Sequence, residues 1–190
     1  MQAVLFVDTY GAQMANRSKK VVISARIDPQ LKDALDIAAS KQNEKIVKLL
    51  EEFVEIGLGT LTLPNPFREG KIRFGNEINF LEVFEAVWDP DEVLFKLRAG
   101  AIGPEFCGET LSRQAKVVIG SEYFKGEYDL FDDLNGHTQI WGGTYDKHYV
   151  NLELVKKEWP IIESYIAFLD NNQPLVVSYE DYKKMRGLDS

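Results

Sequence analysis

The sequence has little of several residues on which common functions depend. Cys107 is the only cysteine, which rules out an internal disulfide and favours a reducing, cytoplasmic setting. Only two histidines are present. No apolar run approaches the roughly 20 residues that a membrane-spanning helix needs. The apolar stretch at residues 3–7 is too short for a signal peptide, and no basic residue precedes it. We therefore expect a cytoplasmic protein without a membrane anchor.

The chain has enough apolar side chains for a folded core, and its charges are unevenly distributed. Hydrophobic residues make up 45% of the chain, and the net charge is −8. Residues 14–58 carry eight basic and seven acidic side chains, whereas residues 59–190 carry 14 basic and 22 acidic ones. No acidic residue lies between 14 and 27. Since the acidic remainder repels phosphate, any nucleic-acid contact is expected in the N-terminal part.

Residues 21–27 alternate in polarity as a half-buried strand does. One face carries Val21, Ile23, Ala25 and Ile27, and the other carries Val22, Ser24 and Arg26. Such a strand needs a pairing partner, and the same strand of a second copy is the simplest one. The resulting two-stranded ribbon fits the major groove of B-DNA, about 12 Å wide. The alternative is an ordinary strand that pairs with the C-terminal region and leaves Arg26 as a solvated surface residue.

Two amphipathic helices are predicted directly after this strand. Asp28 is a good N-cap, and Pro29 suits the first helical position. Asn43 suits the left-handed position that ends the first helix. The second helix carries an apolar face made of Ile46, Leu49, Leu50, Phe53, Val54 and Leu58. Gly57 and Gly59 mark its end.

Together these features resemble a ribbon-helix-helix domain of the Arc/MetJ type. The resemblance covers about residues 20–58 and includes the segment Arg-Ile-Asp-Pro-Gln-Leu at 26–31, with Asn43 where family members usually carry Gly. It implies an obligate homodimer whose two strands pair antiparallel and place their outward residues against the base edges of double-stranded DNA. By position, the implied base contacts are Val22, Ser24 and Arg26.

The resemblance also implies contacts to the DNA backbone. In this family the N–H groups at the start of the second helix hold a phosphate, using the exposed donors and the helix dipole. By position, the implied phosphate contacts are Arg17, Lys19, Lys20, Lys45, Ile46 and Val47. This sequence departs from the family at Lys45 and Val47, where members often carry Ser or Thr. Val47 cannot cap the helix with its side chain, and Glu44 weakens the positive field beside Lys45.

The remainder of the chain is predicted to be a separate mixed α+β domain. Strands are predicted at 61–63, 71–74, 116–119 and 174–177, with one or two hairpins within 127–150. Helices are predicted at 78–87, at 91–97 with Asp89–Pro90 as the cap, at 160–169, and after Ser178. The whole chain is thus an α+β protein with a flexible basic arm at 1–19, a ribbon-helix-helix domain at 20–58, a linker at 59–66 and an α+β domain at 67–190.

No catalytic arrangement is recognisable in the second region, so we predict neither an enzyme nor a cofactor. His137 and His148 lie near Asp132, Asp133 and Asp146, but this spacing matches no metal-ligand signature, and loop histidines are the simpler interpretation. Cys107 lacks the base and the lowered pKa that a nucleophile needs. The aromatic residues of this region build a core, line a pocket for a small effector or form a protein contact.

The sequence as a whole predicts a homodimeric, sequence-specific transcriptional regulator, most simply a repressor. Its C-terminal domain would sense a small molecule, recruit a protein partner or join dimers into tetramers. Two alternatives stay open. The first is a DNA-organising protein of plasmid partition or conjugative relaxosomes. The second is a C-terminal enzyme or phage-type inhibitor whose N-terminal domain only regulates its own gene.

Overall fold

The computed structural model describes residues 23–66, 77–132 and 147–188. Contacts between residues divide the chain into two compact units, Met1–Glu51 and Glu52–Ser190. The division falls inside the second helix. The predicted strand at 71–74 and the residues His137, Asp133 and Asp146 lie outside the described residues.

The first unit contains the first helix of the described chain and the first part of the second helix, which pack as a helical hairpin. Helix α1 spans Pro29–Gln42, and α2 spans Ile46–Gly59. The Asp28 carboxylate accepts a hydrogen bond from the Gln30 N–H at 2.8 Å, so the predicted N-cap is confirmed. The helix ends at Asn43, whose φ of 54° is left-handed, as predicted. Leu35, Ala39 and Leu49 form a small buried cluster between the helices.

Residues 23–28 precede this hairpin and are neither helical nor part of a strand. All six are exposed, and Ile23 is 86% exposed. Within the described ranges this segment pairs with no other strand. The predicted ribbon joins two copies of the chain, so its formation stays a prediction. Val21 and Val22 lie outside the described residues.

The second unit combines helices with two small antiparallel sheets. Its further helices are α3 (Phe80–Val87), α4 (Glu92–Ile102), α5 (Pro104–Cys107), α6 (Glu109–Ile119), α7 (Leu152–Asn171) and α8 (Tyr179–Met185). Strand β1 (Thr62–Pro64) pairs with β2 (Glu77–Asn79), and β3 (Lys125–Asp129) pairs with β4 (Tyr149–Val150). A 3₁₀ turn spans Glu122–Phe124. This mixture agrees with the predicted α+β class, and β1 lies within the segment predicted as a linker.

The main core lies where α4, α6 and α7 pack together. Its largest fully buried side chains include Leu97, Val118, Phe124, Leu130 and Ile162. Helices α4 and α6 approach closely at Gly100, where a Cβ atom would lie 2.5 Å from the Leu111 carbonyl oxygen. Only glycine permits this approach, because any side chain would displace α6.

Two predicted strands are wrong. Residues 116–119 form the last turn of α6. The β-branched run Val117–Ile119 has the composition of a strand, but Ala115 and Val118 stand three residues apart and are buried on the same helix face. Residues 174–177 form an irregular segment. Val177 in that segment packs against the main core and Val176 is 92% exposed, but no strand of the described ranges pairs with the segment.

Three predicted helices start or end elsewhere. The helix predicted at 78–87 begins only at Phe80, because residues 77–79 pair with β1 and the Asn79 side chain caps the helix. Helix α4 is capped by Asp91 instead of Asp89 and continues to Ile102. The predicted helix at 160–169 lies within the longer α7. The Ser178 cap of the last helix is confirmed, since its Oγ accepts from the Asp181 N–H at 3.1 Å.

Candidate nucleic-acid interface

The predicted base-contact residues lie in the exposed segment before α1. Ser24 and Arg26 are both exposed. In the described part of the chain, no carboxylate lies within ion-pair distance of the Arg26 guanidinium and no hydrogen bond occupies it. This guanidinium is therefore accessible to a polar partner outside the chain. The remaining predicted contacts in this region, Val22, Arg17, Lys19 and Lys20, lie outside the described residues.

The start of α2 presents backbone donors to solvent. The Lys45 carbonyl accepts from the N–H groups of Lys48 at 2.9 Å and Leu49 at 3.1 Å, which places Lys45 at the N-cap. The N–H groups of Lys45, Ile46 and Val47 donate to no acceptor among the described residues. Val47, which follows Ile46 at the start of the helix, has an apolar side chain that cannot accept a hydrogen bond from these groups. These N–H groups lie at the N-terminal end of α2, where the helix dipole is positive.

The charges around this helix start are partly balanced. Glu44, which opposes an anion here, forms an ion pair with Lys48 one turn later. The Lys45 side chain is exposed. A surface cleft of about 610 Å³ lies beside them and is lined by Ala39, Ser40, Asn43, Glu44, Lys45 and Lys48. The start of α2 thus offers the backbone N–H groups of residues 45–47 and the exposed Lys45 ammonium to an anion.

Helix α2 also carries a row of exposed apolar side chains. Val47, Leu50 and Val54 follow one another at spacings of three and four residues, so they share one face of the helix. Val54 is 59% exposed, whereas Leu49 on the opposite side is buried. In the first unit Ile23, Ile27 and Leu31 are exposed as well. Phe53 and Ile56 of α2 are exposed too, Ile56 on another side of the helix. Exposed large apolar side chains in this number are typical of a surface that packs against another protein.

The second unit contains a buried polar cluster that the sequence did not reveal. Lys183 Nζ lies 2.8 Å from Glu158 Oε1 and donates to the Tyr123 hydroxyl at 2.9 Å. The Tyr179 hydroxyl donates to Glu158 Oε2 at 2.8 Å. Burial on its own raises the pKa of Glu158, but the hydrogen bonds from Lys183 and the two tyrosines outweigh it, and the pKa is lowered. The pKa of Tyr179 is raised, mainly because its hydroxyl is buried and secondly because it is hydrogen-bonded to Glu158.

This cluster joins α8 to α7 and leaves no spare group for chemistry. Each carboxylate oxygen of Glu158 has a donor, and the Lys183 ammonium also lies 4.5 Å from the centre of the Tyr123 ring. In the sequence, the only indication of this cluster is that the charged Glu158 directly precedes the apolar Trp159. Because such charges are common on helices, the pattern does not identify a buried pair.

The other predicted sites of the second unit have ordinary surroundings. Within the described ranges, no three His, Cys, Asp or Glu side chains are grouped as metal ligands are. Cys107 is half-buried, its Sγ donates to the Gly103 carbonyl at 3.3 Å, and burial raises the pKa of its thiol. Trp159 is buried in the core and donates to Glu163 at 2.9 Å. At least part of the aromatic content therefore builds the core.

Comparison with known proteins gives no match to this chain among family models, curated proteins or solved structures. Among the helices of the described ranges, none combines the length and the apolar character needed to cross a membrane. The geometry of the first unit and the chemistry of its exposed residues are thus the basis for a functional assignment.

Proposed function

We propose that this chain is a homodimeric, sequence-specific DNA-binding protein that acts as a transcriptional repressor in the cytoplasm. The proposal is based on one observation. The α1–α2 hairpin follows an exposed, alternating segment and leaves Val47, Leu50 and Val54 uncovered. A second copy covers these side chains and supplies the pairing strand, and the ribbon-helix-helix arrangement achieves both at once.

Base recognition is assigned to the outward residues of the paired segments. The Arg26 guanidinium donates two hydrogen bonds to guanine O6 and N7, which is worth about 1–3 kcal/mol of discrimination against another base. Ser24 donates to or accepts from a base edge. Val22 contacts a thymine methyl group. The accessibility of Ser24 and Arg26 in the single chain supports these roles.

Phosphate contacts are assigned to two groups of residues. The N–H groups of Lys45, Ile46 and Val47 bind one phosphate at the start of α2, and the Lys45 ammonium adds charge there. Arg17, Lys19 and Lys20 bind phosphates that flank the groove. These contacts fix the position of the ribbon on the duplex and make binding dependent on salt.

The second unit is assigned a regulatory role. Residues 59–190 carry 22 acidic against 14 basic side chains, so this unit does not add a second DNA contact. It binds a small effector, recruits a protein or joins dimers into tetramers. Each of these roles leaves the DNA contacts to the N-terminal segment.

Fluorescence anisotropy tests the proposal with labelled DNA from the region upstream of the protein's own gene. We expect Arg26→Ala to reduce the preference for this DNA over a shuffled duplex by about tenfold, because the base contacts of Arg26 are lost. The salt dependence of binding should change little, since the main phosphate contacts remain. Arg186→Ala is the matched control, because it removes the same charge from an exposed position in the second unit.

Equal binding of the two DNAs by the wild-type protein would contradict the proposal. Equal loss of preference in Arg26→Ala and Arg186→Ala would also contradict it, because the effect would then reflect net charge alone.

A further inference from the structure

We draw no further inference here: the strongest candidate, the exposed apolar surface patch that Leu175 and Val176 form between α7 and α8 in the second unit, carries none because nothing in the described part of the chain shows what would cover it.

Discussion

At the scale of single residues, the ion pair of Glu158 and Lys183 in the second unit is buried and hydrogen-bonded to two tyrosines. Glu158 is 5% exposed and Lys183 is 7% exposed. A buried ion pair adds little net stability compared with apolar residues, but the loss of one partner is costly because the other charge stays buried. The two tyrosine hydroxyls complete the hydrogen bonds of the carboxylate. The cluster therefore fixes how α8 packs on α7.

Replacement of Glu158 by Gln should lower the free energy of unfolding near neutral pH by about 3 kcal/mol, because Lys183 is left buried without its carboxylate. Urea unfolding of the full chain measures this change. Glu180→Gln, at an exposed position on α8, should change stability by less than about 0.5 kcal/mol. Equal stability of the two variants would show that the Glu158 carboxylate is not buried with Lys183.

The same pair predicts how stability depends on pH. The pKa of Glu158 is lower in the folded chain than in the unfolded chain. Its ionisation therefore stabilises the fold above the unfolded pKa, and this contribution is lost as the pH falls through the folded pKa. The wild type should lose more stability than Glu158→Gln on acidification below about pH 4.5. Parallel pH profiles of the two proteins would contradict this assignment.

At the scale of elements, the close contact between α4 and α6 depends on Gly100. A Cβ atom there would lie 2.5 Å from the Leu111 carbonyl oxygen and 2.6 Å from the Ala115 Cβ. Both neighbours belong to α6, so the backbone itself would have to move. The contact permits the two helices to bury Leu97 and Val118 in one core.

Gly100→Ala should lower the free energy of unfolding by about 1–3 kcal/mol, because the added methyl group overpacks this contact. Gly57→Ala is the matched control, since a Cβ atom in that position meets nothing within 4 Å. It should be neutral or stabilising by less than about 1 kcal/mol, as alanine favours a helix. Chemical unfolding checks both, and a stabilised Gly100→Ala would refute the close approach of the helices.

Local signals predicted some elements well and failed for others. The Asp28 cap, the left-handed Asn43 and the Ser178 cap were predictable because each interaction lies within one helical turn. The last turn of α6 was mistaken for a strand, because its burial depends on α4, which is distant from it in the sequence. The segment 174–177 had the composition of a strand, but within the described ranges no strand pairs with it, although Val177 packs against the main core.

The candidate sites also differ in how well the sequence predicts them. The residues of the proposed DNA contact lie close together in the sequence, so their pattern could be predicted. The buried polar cluster of the second unit joins Tyr123, Glu158 and Lys183. Only the packing of α7 against α8 and the 3₁₀ turn brings these residues together, and no motif in the sequence marks that arrangement.

At the scale of the whole molecule, the proposed ribbon requires two copies of the chain. A single copy leaves Val47, Leu50 and Val54 exposed on α2, and within the described ranges residues 23–28 pair with no strand. In the proposed dimer these side chains become the shared core, and the two segments form one ribbon. Dimerisation and DNA binding should therefore be lost together.

Val54→Glu should weaken both properties, since it places a charge in the proposed dimer core while its exposed position leaves the single hairpin intact. We expect the dissociation constant of the dimer to rise at least about a hundredfold, in keeping with the cost of burying an unpaired charge. Val176→Glu makes the same change at a 92% exposed position of the second unit and should have no effect. Sedimentation equilibrium and DNA anisotropy measure the two properties.

The most direct test of the proposed dimer is the mass of the protein in solution. Sedimentation velocity measures this mass at micromolar concentration, with and without DNA from the region upstream of the protein's own gene. We expect a dimer of two 21.6 kDa chains in the free protein, and an even number of chains on each DNA site. A monomer in the free protein, or a single chain bound to DNA, would contradict it, because half of the ribbon would then be missing.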